Sequence, residues 1–388
     1  LTLSLAGSDF GGDPIPSDFL EGGFGAPSLR HLHLERIFIS WDRIPLPTTL
    51  THLTLRELGP RPLRNSFYKS LATFGSLQEL VLGESLPVST DAPPTIGSLS
   101  PITFPSLKAL TVEDFAEELG YFVGSIQTPR LAHLRLTISD RFPQVPFVDQ
   151  CLTRIRNTIG EAMQNFQNIS TIAVRNFDGA GPTSYTKASI QLWYTLPEQG
   201  SNGWTGDFFH LPKVTLEFTH HPLSLTDIFA SITSNFDLTT AQSLEIFRCG
   251  DIPPEMLLQV FCRLPNLDRI NLSLTPVHGF FEVMGRDPAK EDREGVSKPY
   301  FPALIYIDLA SIDFGSGPMS KEDAIISICS ALNQRPAQHF VEEVRLHHCE
   351  NFGADEFELF CNLVNPAIDV YWSGGKVESV GEGEETNV

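Results

Sequence analysis

The chain has little charge, and most of it is of one sign. Charged residues make up 19% of its 388 positions, and 47 acidic residues face 27 basic ones, a formal charge of −20. That balance opposes unspecific binding to nucleic acid or to an anionic membrane, since both are polyanions. Basic protein partners remain open. There is no run of eighteen apolar residues, so no membrane-spanning helix is expected. The six cysteines (Cys151, Cys249, Cys262, Cys329, Cys349 and Cys361) include no C-x-x-C pair. Scattered in this way they read as free thiols, most of them buried, in a reducing compartment, which implies an intracellular, cytoplasmic or nuclear protein. The motifs of chemistry are missing too: no G-x-S-x-G, no phosphate-binding G-x-x-x-x-G-K-[ST], no H-E-x-x-H and no EF-hand loop. Gly179 and Gly181 lack the strand-to-helix setting of a dinucleotide site. The expectation is a protein that is not an enzyme and holds no cofactor.

What the chain does have is a recurring apolar pattern. Leu29, Leu32 and Leu34 read L-x-x-L-x-L, and the same three-position pattern starts again at Leu50, Leu77, Leu107, Leu131, Ile169, Leu211, Ala241, Leu267, Leu304 and Val341. The second and third positions of each copy are two residues apart, so they point to one face of a strand. A strand this short cannot bury that face alone, but it can when stacked in parallel beside copies of itself. Parallel neighbours need a crossover, and the spacing between copies leaves room for one. Leu1, Leu3 and Leu5 alternate in the same way. The chain therefore starts in strand-like sequence without a Met, and its natural N-terminus is expected to lie upstream.

The intervals carry helix signals. Phe147 to Phe166 has Val148, Cys151, Leu152, Ile155, Ile159 and Met163 at helical spacing. Ser224-Leu225-Thr226-Asp227 and Ser320-Lys321-Glu322-Asp323 resemble capping boxes. Pro253-Pro254 opens another helix, and Asp355 to Leu363 is the last. Two units match directly: a Cys after the strand and a Cys at the helix end recur at Cys249 and Cys262, then at Cys349 and Cys361. Other stretches fit the pattern poorly. Residues 86–105 and 285–299 read as loops, and 176–210 as an insertion with its own strand or a degenerate repeat. Residues 374–388 read as a disordered acidic tail. The repeat domain is thus expected over 1–373.

These residues resemble a leucine-rich repeat, L-x-x-L-x-L-x-x-N/C-x-L, whose ninth position turns the chain out of the strand. Cys249 and Cys349 occupy that position; Ile37 and Ile312 depart from it. The irregular spacing, the strand-exit cysteines and the lead-ins Phe104-Pro105-Ser106-Leu107 and Tyr300-Phe301-Pro302-Ala303-Leu304 resemble the repeat region of fungal F-box proteins. The resemblance implies an α/β leucine-rich repeat solenoid, or horseshoe, with a parallel concave sheet and irregular convex helices. It also implies a protein substrate held on the concave face. An SCF ubiquitin-ligase adaptor would then dock on an N-terminal F-box that this chain does not contain. The alternative is a stand-alone scaffold or inhibitor that binds a basic protein.

The residues between the leucines would form columns on the concave face. One holds His31, His52, Glu79, Ala109 and His133; the next His33, Thr54, Val81, Thr111 and Arg135; the third Glu35, Arg56, Gly83, Glu113 and Thr137. About twelve strands make a sheet of about 55 Å, a span suited to a protein or peptide ligand. The candidate binding residues are His31, His33, Glu35, His52, Arg56, His133 and Arg135. Two imidazoles and a carboxylate on one strand could hold zinc, but histidines on an open sheet face more often meet solvent or a partner, so no metal is assigned. Asn271-Leu272-Ser273 matches a glycosylation sequon and is discounted because it falls in a predicted strand.

Overall fold

The computed structural model describes residues 2–6, 28–37, 47–88, 101–139, 145–162, 169–175, 186–193, 213–221, 224–250, 252, 254–286, 299–315 and 319–374. The expected tail, most of the expected loops, Leu211 and the flanks of the 176–210 segment lie outside them. The protein is mixed α/β. Its strands are β1 (Thr2–Ala6), β2 (His31–Glu35), β3 (His52–Arg56), β4 (Glu79–Gly83), β5 (Ile102–Thr103), β6 (Ala109–Asp114), β7 (Ile126–Gln127), β8 (His133–Ile138), β9 (Thr171–Arg175), β10 (Thr186–Trp193), β11 (Val214–His221), β12 (Ser243–Phe247), β13 (Arg269–Ser273), β14 (Tyr306–Ala310), β15 (Glu343–His347) and β16 (Asp369–Ser373). The chain divides into two compact units, Leu1–Ile172 with Ala180–Leu238, and Ala173–Gly179 with Thr239–Val388.

In the first unit the sheet order is β1-β2-β3-β4-β6-β8-β11-β10, and β5 pairs with β7 apart from it. All these pairs are parallel except β10 with β11, which is antiparallel. This corrects the expectation of a wholly parallel sheet. The sheet also departs from chain order here, because β11, not β9, is the neighbour of β8. The alternation that marks a strand is the same in either direction and carries no record of which strand lies next to it. In the second unit β12-β13-β14-β15-β16 are parallel in chain order.

Every described position of the repeating apolar triplet is buried, from Leu29, Leu32 and Leu34 to Val341, Val344 and Leu346. Burial of these side chains is the main stabilising term, about 1.5–3 kcal/mol for each one fully removed from water. The lead-in phenylalanines Phe104 and Phe301 are buried as well. Leu107 N donates to Phe104 O at 3.4 Å and Leu304 N to Phe301 O at 3.2 Å, which closes a turn ahead of the strand.

Seven of the strand exits share one geometry. Arg36, Glu57, Glu84, Arg248, Leu274, Ser311 and His348 follow their strands with φ between 46 and 53°. A left-handed non-glycine residue costs about 1–2 kcal/mol. Here it aims its N–H at the adjacent strand: Arg36 to Arg56 O at 3.0 Å, Glu57 to Gly83 O at 2.8 Å, Arg248 to Ser273 O at 2.9 Å and Ser311 to His347 O at 2.7 Å. The next residue is the ninth position, and it points inward. Where it is Cys, the thiol donates to carbonyls: Cys249 to Phe247 O and Val174 O, both 3.5 Å, and Cys349 to Leu309 O at 3.5 Å. Ser85 does the same, to Gly83 O at 2.7 Å and Leu55 O at 3.2 Å. Ile37, Leu58 and Ile312 fill the same place with apolar bulk. The turn therefore rests on the left-handed residue, and the ninth position can vary.

Ser224 and Ser320 cap helices Leu225–Asn235 and Lys321–Asn333, each accepting from the N–H three residues on at 3.1 Å. Helix Val145–Ala162 buries Val148, Cys151, Leu152 and Ile155. Pro254 opens a helix that passes at Leu257–Phe261 into a π turn. The expected last helix spans Ala354–Leu363. Helices Arg64–Leu71, Ala116–Gly124 and His278–Met284 carry no clear signal in the sequence.

Candidate functional site

The alternation that buries the leucines turns the first, third and fifth residue of each strand to the opposite, open face. In the first unit the register aligns His31 with His52, His52 with Glu79, and Ala109 with His133; it likewise aligns Glu35 with Arg56 and Thr111 with Arg135. The His31 and His52 rings meet edge to face, centroids 4.3 Å apart. His33 Nε2 lies 3.2 Å from Glu35 Oε2, and His52 Nε2 lies 3.8 Å from Glu79 Oε2. Arg56 lies across Gly83, where a Cβ would come within 3.1 Å of its Cγ; the glycine makes room for the arginine stem. Arg135 is held by Glu217, which lies outside the columns expected from the sequence. Its Nε and Nη2 donate to Glu217 on β11 at 3.0 and 2.8 Å, and Thr137 Oγ1 donates to the same carboxylate at 2.9 Å. Burial is the largest influence on Glu113 and pushes its carboxyl up, opposed by Arg56 and reinforced by Glu84, Glu217 and Glu57. Among the described residues no group of three or more His, Cys, Asp or Glu side chains is placed to hold a metal ion.

The second unit presents a different face. Its central column is Glu245, Asn271, Asp308, Arg345 and Tyr371, aligned strand to strand. In the first unit the matching His33, Thr54, Val81 and Thr111 are half-buried and Arg135 is exposed. Here Glu245, Asn271 and Asp308 are 3%, 6% and 9% exposed. Glu245 accepts from Arg175 Nη2 through both oxygens, at 3.1 and 3.2 Å. Burial nonetheless pushes its carboxyl up to about 7, against the pull of Arg175. Asp308 has no such partner. Burial pushes it up to about 6, with Arg345 pulling down and Glu343 pushing up. Its Oδ1 is buried without a hydrogen bond, as are Asn271 Oδ1 and His347 Nε2. His347 Nε2 stands 3.9 Å from Asp308 Oδ1, and its Nδ1 meets Ser373 Oγ at 3.0 Å. Burial, Arg345 and His348 all lower the pKa of His347. Guanidinium groups lie over aromatic rings in the column and beside it: Arg345 over Tyr371 at 6.0 Å within it, Arg269 over Tyr306 at 4.8 Å and Arg175 over Phe247 at 5.7 Å alongside.

The candidate residues named from the sequence all lie in the first five repeats. Continuing the second column into the later repeats would have exposed Glu245, Asn271 and Asp308, since each stands four residues after the start of its triplet. Their burial is a property of the neighbouring side chains and could not be read that way. Trp193 is a core residue of β10, while Tyr194 and Trp204 lie outside the described residues.

No protein-family model matches the chain, and no curated protein matches it. Among the described residues no helix is long and apolar enough to cross a membrane.

Proposed function

We propose that the chain is a protein-binding module built as a leucine-rich repeat solenoid, with the open sheet face as its concave docking surface. The observation that carries this reading is the register. Side chains of successive parallel strands stand side by side in columns about 4.8 Å apart, with the apolar triplet buried beneath them. Such a surface suits an extended partner contacted through many side chains. It assigns no reaction to the chain. A photo-crosslinking amino acid at His33 or Tyr306, on the sheet face, should trap the partner. The same probe at Lys69 or at Ile326, exposed on a helix, should not. Adducts from the helix positions alone would sink the reading.

The finer proposal is that this module is the substrate-recognition region of an F-box-type adaptor of an SCF ubiquitin ligase. It rests on the resemblance of the irregular repeats, the strand-exit cysteines and the Phe-Pro lead-ins to fungal F-box proteins. The full-length gene product should co-elute with the purified SCF adaptor subunit on gel filtration. Separate elution leaves the stand-alone scaffold or inhibitor, for which the charge of −20 favours a basic partner.

A further inference from the structure

We propose that the open face of the second unit contains a subsite for a lysine or arginine side chain of a protein partner, anchored by Asp308 and Asn271 with His347 at its edge, an inference that rests on the protein-binding reading and narrows it to a basic segment. Asn271 and Asp308 stand opposite each other on β13 and β14. The Oδ1 atom of each is buried and accepts no hydrogen bond. Native structures leave few buried polar atoms unmet, and those that remain call for a ligand or another explanation. The unmet atoms of this pair are both acceptors, so the missing group is a donor.

The neighbouring cations are already engaged. Arg345 bonds Glu343, Arg175 bonds Glu245, and Arg269 lies 3.7 Å from Asp268 and over Tyr306. None of them hydrogen-bonds Asp308 Oδ1. A lysine ammonium brings three donors and an arginine guanidinium five, enough for both oxygens at once. Bonds from a cation to a carboxylate are the stronger kind. His347 Nε2, likewise buried and unmet, stands at the edge of the pair, 3.9 Å from Asp308 Oδ1 and too far for a direct bond. Tyr371, 52% exposed and two strands from Asp308 in the same column, offers apolar surface along the path of the incoming stem. The net charge of −20 favours the approach of a basic segment.

The test uses the whole chain with fluorescent octalysine and octaarginine peptides, read by anisotropy at physiological salt. Asp308→Asn should weaken binding at least about tenfold, the scale for losing one partner of a desolvated charge pair. Glu358→Gln on the Ala354–Leu363 helix removes an equal charge and should change binding less than about twofold, as a peripheral charge does. Asn271→Ala reads the same pair of acceptors, with a loss of the same order expected, should Asp308→Asn fold poorly. Equal effects of Asp308→Asn and Glu358→Gln, or no binding by the native chain, would overturn the proposal. Partner crosslinks that still map to the sheet face would then leave the protein-binding reading standing; their absence would remove that reading as well.

Discussion

Two buried strand aspartates, one in each unit, show how differently the same residue is used. Asp114 ends β6 and Asp308 sits at the centre of β14; burial pushes both carboxyls up to about 6. Asp114 is fully employed. It pairs with Arg61 at 2.9 Å, and accepts from Leu86 N at 3.1 Å and Phe115 N at 3.0 Å. It ties the exit of one repeat to the start of the next helix. Asp308 has comparable burial and an unmet oxygen. A polar group that stabilises the fold is surrounded by partners. One that the fold leaves unsatisfied is available for something outside it.

The largest effects should come from the inner face, where the units are alike. Leu134→Asp in the first and Leu309→Asp in the second each bury a charge in place of a leucine that is at most 2% exposed. Each should cost more than about 3 kcal/mol and unfold the local repeats, seen as lost amide protection around β8 or β14. An unchanged melt for either would contradict the inward assignment.

Arg335 comes next. This buried guanidinium donates to Tyr300 O, Phe301 O and His339 O, which fixes the Phe-Pro lead-in of β14 from below. Arg335→Ala should lower stability by about 2–4 kcal/mol in urea unfolding, chiefly in the second unit. A loss spread equally over both units would count against this local role.

Acidity should separate the units more gently. A carboxyl whose pKa is raised on folding contributes stability that is fully present below its unfolded value and lost as pH rises through the folded value. For Asp114 and Asp308 that window runs from 3.8 to about 6, and for Glu245 from 4.5 to about 7. Burial raises three carboxyls in the second unit, Glu245, Asp268 and Asp308, against Glu113 and Asp114 in the first, so the second unit should lose more protection between about pH 4 and pH 7, on the order of 1–3 kcal/mol. Glu245→Gln should remove the part of that loss nearest neutrality, which pH-resolved hydrogen exchange would show. A slope unchanged in Glu245→Gln would mean that this carboxyl is not the source.

The smallest effect is expected at Arg135, whose pair with Glu217 is 57% exposed on the arginine side. Arg135→Ala should shift the melting midpoint only slightly, the stability change staying below about 1 kcal/mol. A larger change would make that pair part of the frame and not of the surface.

The frame was legible because a period of two forces Leu32 and Leu34, or Ile307 and Leu309, to one side whatever their neighbours are. The capped helices at Ser224 and Ser320 were legible for a similar local reason. The place of β11 between β8 and β10 was not, because strand direction and neighbours depend on the whole chain. The left-handed exits were hidden behind Arg36, Glu57 and Leu274, residues that do not announce that conformation. Nor could the sequence separate Asp114 from Asp308. Whether a buried carboxylate is satisfied depends on what Arg61, Leu86 or Arg345 does across the fold.

The most direct test of that separation is equilibrium unfolding of Asp114→Asn and Asp308→Asn side by side at neutral pH. Asp114→Asn should lose about 3 kcal/mol, because it breaks a buried ion pair and its backbone bonds. Asp308→Asn should be neutral or slightly stabilising, because it removes a buried charge that the fold leaves unmet. Destabilisation of Asp308→Asn as large as that of Asp114→Asn would show that the aspartate of β14 belongs to the frame, and would remove the reason for placing a site there.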